Sequence, residues 1–490
     1  MLSVGNWRRF LKESIFVWLD KFLLGVTPMK TFKLILTLTM LLVFALPGMS
    51  WAADVPAVDT GDTTFILISA AMVLLMTPGL ALFYGGMVRK KNVLGTTMQS
   101  VIAMALISIQ WIVIGYTLAF GPDIGGLIGG LDWLGLRGVG LDPNPDYAGT
   151  IPAQVFMAFQ MMFAIITPAL ISGAIAERMK FPAYIVFVLL WATLIYDPVA
   201  HWVWGVGGWI RNMGALDFAG GTVVHIISGV SALVASLVLG KRKSRASDPT
   251  LPHNIPMVVM GAALLWFGWF GFNAGSALGA NGIAAAAFVN TNTAAAAAAL
   301  AWLIVEWRHH GKPTVLGLVS GAIAGLVAIT PAAGFVTPMA AIIIGLVSGV
   351  LCYFMIAIIK GKLGYDDSLD AFGIHGIGGT WGAIATGFFA TTAVNPGGAN
   401  GLFYGDPSLV VKQIIAVAVT YCFAAIGTFI ILKVIGLVFE LRVSPEEEEA
   451  GLDITQHGED AYRDFAMGGS VMRNKKVPVH TPAIEAKSIK

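Results

Sequence analysis

Two histidines, His225 and His375, stand inside apolar stretches of this sequence, TVVHIISG (222–229) and DAFGIHGIGGTWG (370–382). An imidazole is costly to place in hydrocarbon, so an ionisable residue within an apolar span is a functional hypothesis by default. The chemistry it offers is proton exchange near neutrality, because an ordinary pKa of about 6.5 lets it alternate between donor and acceptor. Gly221, His225 and Gly229 recur at i, i+4 and i+8, and Ala371, His375, Gly379 and Gly382 do much the same. Each histidine is therefore expected on a small-residue helix face. Such faces let helices approach closely, and two imidazoles presented from them can meet and line a narrow lumen. Two alternatives stay open here. The histidines can be unrelated core residues bonded to nearby backbone, or metal ligands, although no third Cys, His or carboxylate stands at ligand spacing. Asp217 and Asp370 precede the two histidines and are expected to cap their helices; Asp217 can also stabilise a cation at the mouth.

The elements that must position these residues are membrane helices. Of 490 residues, 57% are hydrophobic and 12% charged, against about 25% charged in soluble domains; the mean hydropathy is +0.78. Runs of about 20 apolar residues fall near 63–87, 94–120, 151–176, 182–205, 219–240, 255–276, 284–307, 314–332, 338–359, 371–392 and 409–439. The expected fold is an all-α polytopic membrane protein with eleven transmembrane helices. A net charge of +2 gives no sign of a nucleic-acid partner. Cys352 and Cys422 both lie in apolar segments and read as small buried residues.

The connectors set the expected orientation. Loops after odd spans carry RKK (89–91), ERMK (177–180), KRKSR (241–245), EWRHHGK (306–312) and KGK (360–362), whereas loops after even spans hold Asp123, Asp132, Asp142, Asp146 and Asp406. The positive-inside rule then places the mature N-terminus outside and the C-terminus in the cytoplasm. Residues 29–52, with Lys30, Lys33, an apolar core and small residues before Ala53, have the layout of a signal peptide. Residues 1–28 are either an interfacial amphipathic helix or the product of a start codon set too far upstream. The membrane domain is expected over 53–440 and a cytoplasmic tail over 441–490. Past about residue 470 the tail reads as solvated and disordered. Spans five and ten both open on Leu-Asp followed by Gly and one His, and two five-span halves of opposite orientation are a common transporter plan.

Aromatics crowd the spans, as in AHWVWG (200–205), FQMMF (159–163) and LLWFGWFGFNAGS (264–276). Most are packing or interfacial residues, but an aromatic face beside a hydroxyl also compensates a cation that sheds water. Trp204 and Ser276, at the outer ends of spans four and six, can share a vestibule.

The segments LFYGGMVRKKN, ERMKF, ALDFAGGTVVHI, GWFGFNAGSA, AFVNT, GAIAGLVAITPAAG, DAFGIHGIGGTWG and GLDITQHGEDAY together resemble the signatures of the ammonium transporter family (Amt/Mep, related to the Rh proteins), over about 62–465. The resemblance implies eleven helices in two inverted five-helix repeats plus a last helix, one pore per subunit, and a homotrimer. It puts the pore histidines on His225 and His375, the gating pair on Phe163 and Phe272, and the outer ammonium site on Trp204, Ser276 and Phe163. It makes Asp217 the structural aspartate. It implies ammonium, ammonia and methylammonium as substrates, no cofactor, a bacterial cytoplasmic (inner) membrane, and a PII-type nitrogen regulatory protein that docks on the tail segment GLDITQHGEDAY. Ammonium binding outside, deprotonation and passage of ammonia is the function expected. An ammonium sensor signalling through a cytoplasmic partner is the alternative. A membrane enzyme is disfavoured, because neither a nucleophile nor a third ligand accompanies the histidines.

Overall fold

The first helix, α1 (Thr60–Met87), begins at Asp59, whose carboxylate accepts from the Asp62 N–H at 2.8 Å. That acceptor satisfies one of the N–H groups a helix start leaves free. Twenty-eight residues reach about 42 Å, enough to cross the hydrocarbon of a bilayer. The chain is described, as a computed structural model, over residues 58–243 and 251–462; the expected N-terminal extension and signal peptide, and the tail beyond Tyr462, lie outside those residues.

After α1 come α2 (Lys90–Phe120), α3 (Ala153–Ile175), α4 (Phe181–Met213), α5 (Gly221–Leu239), α6 (Ile255–Gly275), α7 (Gly282–His310), α8 (Val315–Ile329), α9 (Pro338–Leu363), α10 (Phe372–Gly376 continuing as Ile377–Phe389) and α11 (Ser408–Ile435). Among the described residues, nine of these are long and apolar enough to cross a membrane. The other two, α8 and α10, are shorter. The helices stand at the positions expected from hydropathy, and the fold is all-α apart from two small hairpins between α2 and α3. These pair β1 (Asp123–Ile124) with β2 (Ile128–Gly129), and β3 (Pro143–Asn144) with β4 (Ala148–Pro152).

Close packing of α7, α8 and α9 follows from small residues. A Cβ on Gly325 or Gly345 would come within 2.4 or 2.3 Å of the same Ala294 carbonyl. Larger residues there would push the three helices apart. α1 also packs on α6, and α5 on α10, helices that the two expected halves would pair. Cys352 is buried, but Cys422 is exposed, which corrects the expectation of two buried thiols. Cys422 shares α11 with the exposed Ile414, Ile415, Ile426, Phe429 and Ile430. A lipid-facing stripe is as apolar as a core, so hydropathy alone does not separate them.

The end of α11 leads into a segment that folds back on the ends of α2 and α4. The Lys180 N–H bonds Leu441 O at 2.9 Å and the Val443 N–H bonds Arg178 O at 3.0 Å. Ser444 and Glu447 form a capping box for α12 (Pro445–Ala450), as their spacing demands. In α13 (Leu452–His457) the Leu452 N–H donates to Asn92 at 2.8 Å, and Asp453 accepts from the Gly95 N–H at 2.8 Å. Beneath this segment Glu177 is buried. Burial pushes its pKa up, but Arg242 and Arg89 at 3.1 Å outweigh that and hold it below the ordinary value.

Candidate functional site

Among the described residues, five turns in the helices are π-wound: Trp111–Gly115, Ala192–Tyr196, Gly221–Ile226, Met355–Ile359 and Phe372–Gly376. Such turns concentrate at functional sites, and two of them carry the histidines. Gly221–Ile226 opens α5, and its free N–H groups converge on Asp217. Asp217 Oδ1 accepts from Gly220 and Gly221 at 2.8 and 2.6 Å, and Oδ2 accepts from the Thr222 N–H at 2.7 Å and from the Thr222 hydroxyl. Asp217 is thus the cap expected.

Asp370 is not a cap, contrary to expectation. The α10 turn is held by Asp367, which accepts from Ala371 and Phe372 at 3.1 and 2.7 Å. Asp370 sits at φ 63° and pairs with Lys360 at 2.5 Å. The signal for Asp367 was in the sequence: it precedes His375 by eight residues, as Asp217 precedes His225. The π-winding also breaks the expected glycine face. A Cβ on Gly221 would strike Pro331 at 2.5 Å, whereas one on Gly229 would meet the Gly376 nitrogen at 2.2 Å. Gly229 is the residue that lets α5 and α10 touch.

That contact brings the histidines together. His225 Nδ1 and His375 Nδ1 lie 3.3 Å apart, with ring centroids at 5.3 Å and planes inclined by 22°. Both are buried, and His225 Nε2 has no partner. A hydrogen bond between two Nδ1 atoms needs one donor and one acceptor, so the neutral rings must hold opposite tautomers. They line a cavity of about 20 Å³ with Met76, Leu80, Trp269, Phe272 and Ile374, room for about one water-sized molecule. The other polar groups at its wall are spoken for. Trp269 donates to Thr330 at 2.9 Å and Tyr84 to Leu170 O at 3.2 Å. Trp269, which the sequence did not single out, stacks on His225 with centroids 5.6 Å apart.

Phe163 and Phe272 close one end, their ring centroids 4.2 Å apart and both side chains buried. Beyond them lies a cavity of about 250 Å³ bounded by Gln160, Phe163, Trp204, Asp217 and Ser276, among others. The Trp204 ring stands edge-on to Phe163 at 5.9 Å and 86°, and its N–H donates to Asp217 O at 2.9 Å. The Ser276 hydroxyl donates to Phe272 O at 2.8 Å, which leaves its oxygen free to accept. At the opposite end a cavity of about 190 Å³, with Glu306, His310 and Asp370, shares Phe83, Leu369 and Ile374 with the histidine cavity. All seven residues expected at the site therefore fall on one path: Trp204, Ser276, Asp217, Phe163, Phe272, His225, His375. The arrangement can hold a small cation at an aromatic mouth, bar water with two rings, and offer a lone small solute two imidazoles.

Residues 64–462 match the profile of the Ammonium Transporter Family. The chain is 62% identical over 404 residues to the ammonium transporter of Bacillus subtilis (strain 168), covering 82% of this chain and 99% of that one. To ammonium transporter Amt1 of Archaeoglobus fulgidus it is 50% identical, over 82% of this chain and 99% of the relative. Among solved structures, Candida albicans Mep2 superposes with a TM-score of 0.76 at 36% identity, over 83% of this chain and 91% of that chain. A protein described as a sensor Amt protein superposes with a TM-score of 0.74 at 31% identity, over 81% of this chain and 98% of that one.

Proposed function

The chain belongs to the ammonium transporter family, and from that premise we propose that it binds ammonium at Trp204, Ser276 and Phe163, deprotonates it, and conducts ammonia past Phe163 and Phe272 along His225 and His375. The observation that carries the reading is the 3.3 Å contact between the two imidazoles inside a cavity of about 20 Å³. Ammonium and potassium share charge and nearly size, so a dry pore cannot part them by fit. Only ammonium can leave its proton behind. An aromatic face compensates the cation outside, and Asp217 adds fixed negative charge at that mouth. Two imidazoles then supply the hydrogen bonds that ammonia needs in transit.

The test is uptake of ammonium and methylammonium into proteoliposomes, with membrane current recorded together. Wild type should transport both and exclude potassium. His225→Ala and His375→Ala should each cut transport at least tenfold or admit potassium, and the double variant should be no worse than either single one, because each single change already breaks the unit. Wild-type uptake and selectivity in both single variants would reduce the pair to ordinary core residues.

The same reading takes the protein as a homotrimer in a bacterial inner membrane, N-terminus outside, with residues 53–440 as the membrane domain and 441–490 as its cytoplasmic tail. A PII-type protein would dock at the tail face. A tail anchored on both α2 and α4 is what supports that partner, since docking there reaches two membrane helices at once. Capture of a PII-type protein by the detergent-solubilised chain, and loss of capture when the chain stops at Leu441, is the expected result. A sensing role is the second reading, favoured by the likeness to the sensor Amt protein. Ammonium-dependent partner binding without any ammonium or methylammonium uptake would establish it over transport.

A further inference from the structure

Gln160 lies on α3, three residues before Phe163, and so on the same helix face. It lines the same cavity of about 250 Å³ as Trp204, Phe163 and Ser276. Its Oε1 is buried and has no hydrogen-bond partner. Buried polar atoms are nearly always satisfied, so one that is not calls for an account. The neighbouring groups do not need it. Trp204 is bonded to Asp217 O and Ser276 to Phe272 O.

We propose that the Gln160 carboxamide is a further ligand of the cation in this vestibule and supplies the acceptor that the aromatic site lacks; this rests on the outer site named above. Ammonium is a tetrahedral donor with four N–H bonds and no lone pair. Ser276 Oγ can take one, and the faces of Trp204 and Phe163 can take two more. The fourth needs an oxygen, and Gln160 Oε1 is the buried, unbonded one among the residues of this wall. A carboxamide fits that need better than a carboxylate would. It accepts without trapping the cation in an ion pair, and turning the amide by half a turn exchanges its oxygen and nitrogen at little cost in shape. No bond is made or broken here. Gln160 acts on binding and leaves the proton step to others.

The experiment is half-saturation for ammonium uptake in proteoliposomes of Gln160→Leu, Gln160→Met, Gln160→Glu and Ser276→Ala, each checked for wild-type melting in detergent. Gln160→Leu and Gln160→Met should raise half-saturation about tenfold, the loss of one hydrogen bond to a charged group, with a smaller change in maximal rate. Gln160→Glu, which keeps an acceptor at the same reach, should stay at or below the wild-type value. Leu and Met variants within twofold of wild type while Ser276→Ala is impaired would overturn the proposal, as would Glu and Leu variants impaired alike. Because Met is flexible and near in volume, it keeps the test open should the Leu variant misfold. A wild-type protein without saturable ammonium uptake would instead overturn the outer site itself, and this inference with it.

Discussion

The heads of α5 and α10 are built alike and end up in different surroundings. Each has an aspartate eight residues before its histidine, a π-turn whose N–H groups that aspartate collects, and a glycine four residues after the histidine. At α5 the aspartate, Asp217, faces the vestibule and gathers Gly220, Gly221 and Thr222. At α10, Asp367 is wholly buried and gathers only Ala371 and Phe372, with Lys360 and Asp370 beside it. One backbone device therefore serves twice. Only the copy at the aromatic mouth lines the cavity of about 250 Å³, while the other stands buried beside Lys360 and Asp370.

The comparison breaks first at Asp217. Asp217→Ala strands four backbone N–H groups and a hydroxyl, each costing about 1–3 kcal/mol, so folded protein should be lost. Size-exclusion yield in detergent is the check, and a normally eluting variant would show that the cap is dispensable. Next is Gly229→Ala, whose methyl would meet the Gly376 nitrogen at 2.2 Å, against 3.0 Å to His225 Cβ for Gly379→Ala. Overpacking costs about 1–3 kcal/mol or more, and Gly229→Ala should lower both melting temperature and transport further than Gly379→Ala. Equal effects would deny that the two copies differ in closeness.

A pH series sharpens the contrast at Asp367. Burial pushes its carboxyl up to about 6, with Lys360 pulling down and Asp370 pushing up. A raised folded value means the folded chain holds the proton more tightly. The stability from this group is therefore present below its ordinary value and is lost as pH rises through about 6. The loss is on the order of 2–3 kcal/mol between pH 4 and 7. Asp367→Asn should remove that slope from the melting curve, whatever its baseline; an unchanged slope would place the titration elsewhere. The smallest effect belongs to Lys360→Met. Its pair with Asp370 is partly exposed, and such a pair is worth about 1 kcal/mol or less. A larger drop in melting temperature would mean that the local counter-charge holds α10 in place.

Hydropathy was enough to place the helices, because length and apolarity are what a bilayer demands of any segment. That the seven expected residues would lie together was legible through histidines in apolar spans and through family motifs. Gln160 and Trp269 were not, because an amide or indole near a helix end looks like any interfacial residue until a cavity shows which way it turns. Asp370 was mistaken for a cap because an α-helical frame was assumed. The π-turn gives that role to Asp367, and in the sequence only the eight-residue spacing shared with Asp217 and His225 marks it. Cys422 failed for a different reason, since lipid and protein neighbours leave the same mark on composition.

The Nδ1 to Nδ1 contact gives the pair a memory. Suppose a proton enters at the outward nitrogen of the ring that donates in the contact, passes across, and leaves from the far nitrogen of its partner. Both rings then hold the tautomer opposite to the one they began with. A second proton cannot follow in the same direction until both have been restored, by a proton travelling back or by exchange with the solute between them. If ammonia passes as proposed, it faces no such limit, since it would move without altering either ring. On that reading the pair would be a one-shot relay for charge and an open track for the uncharged molecule.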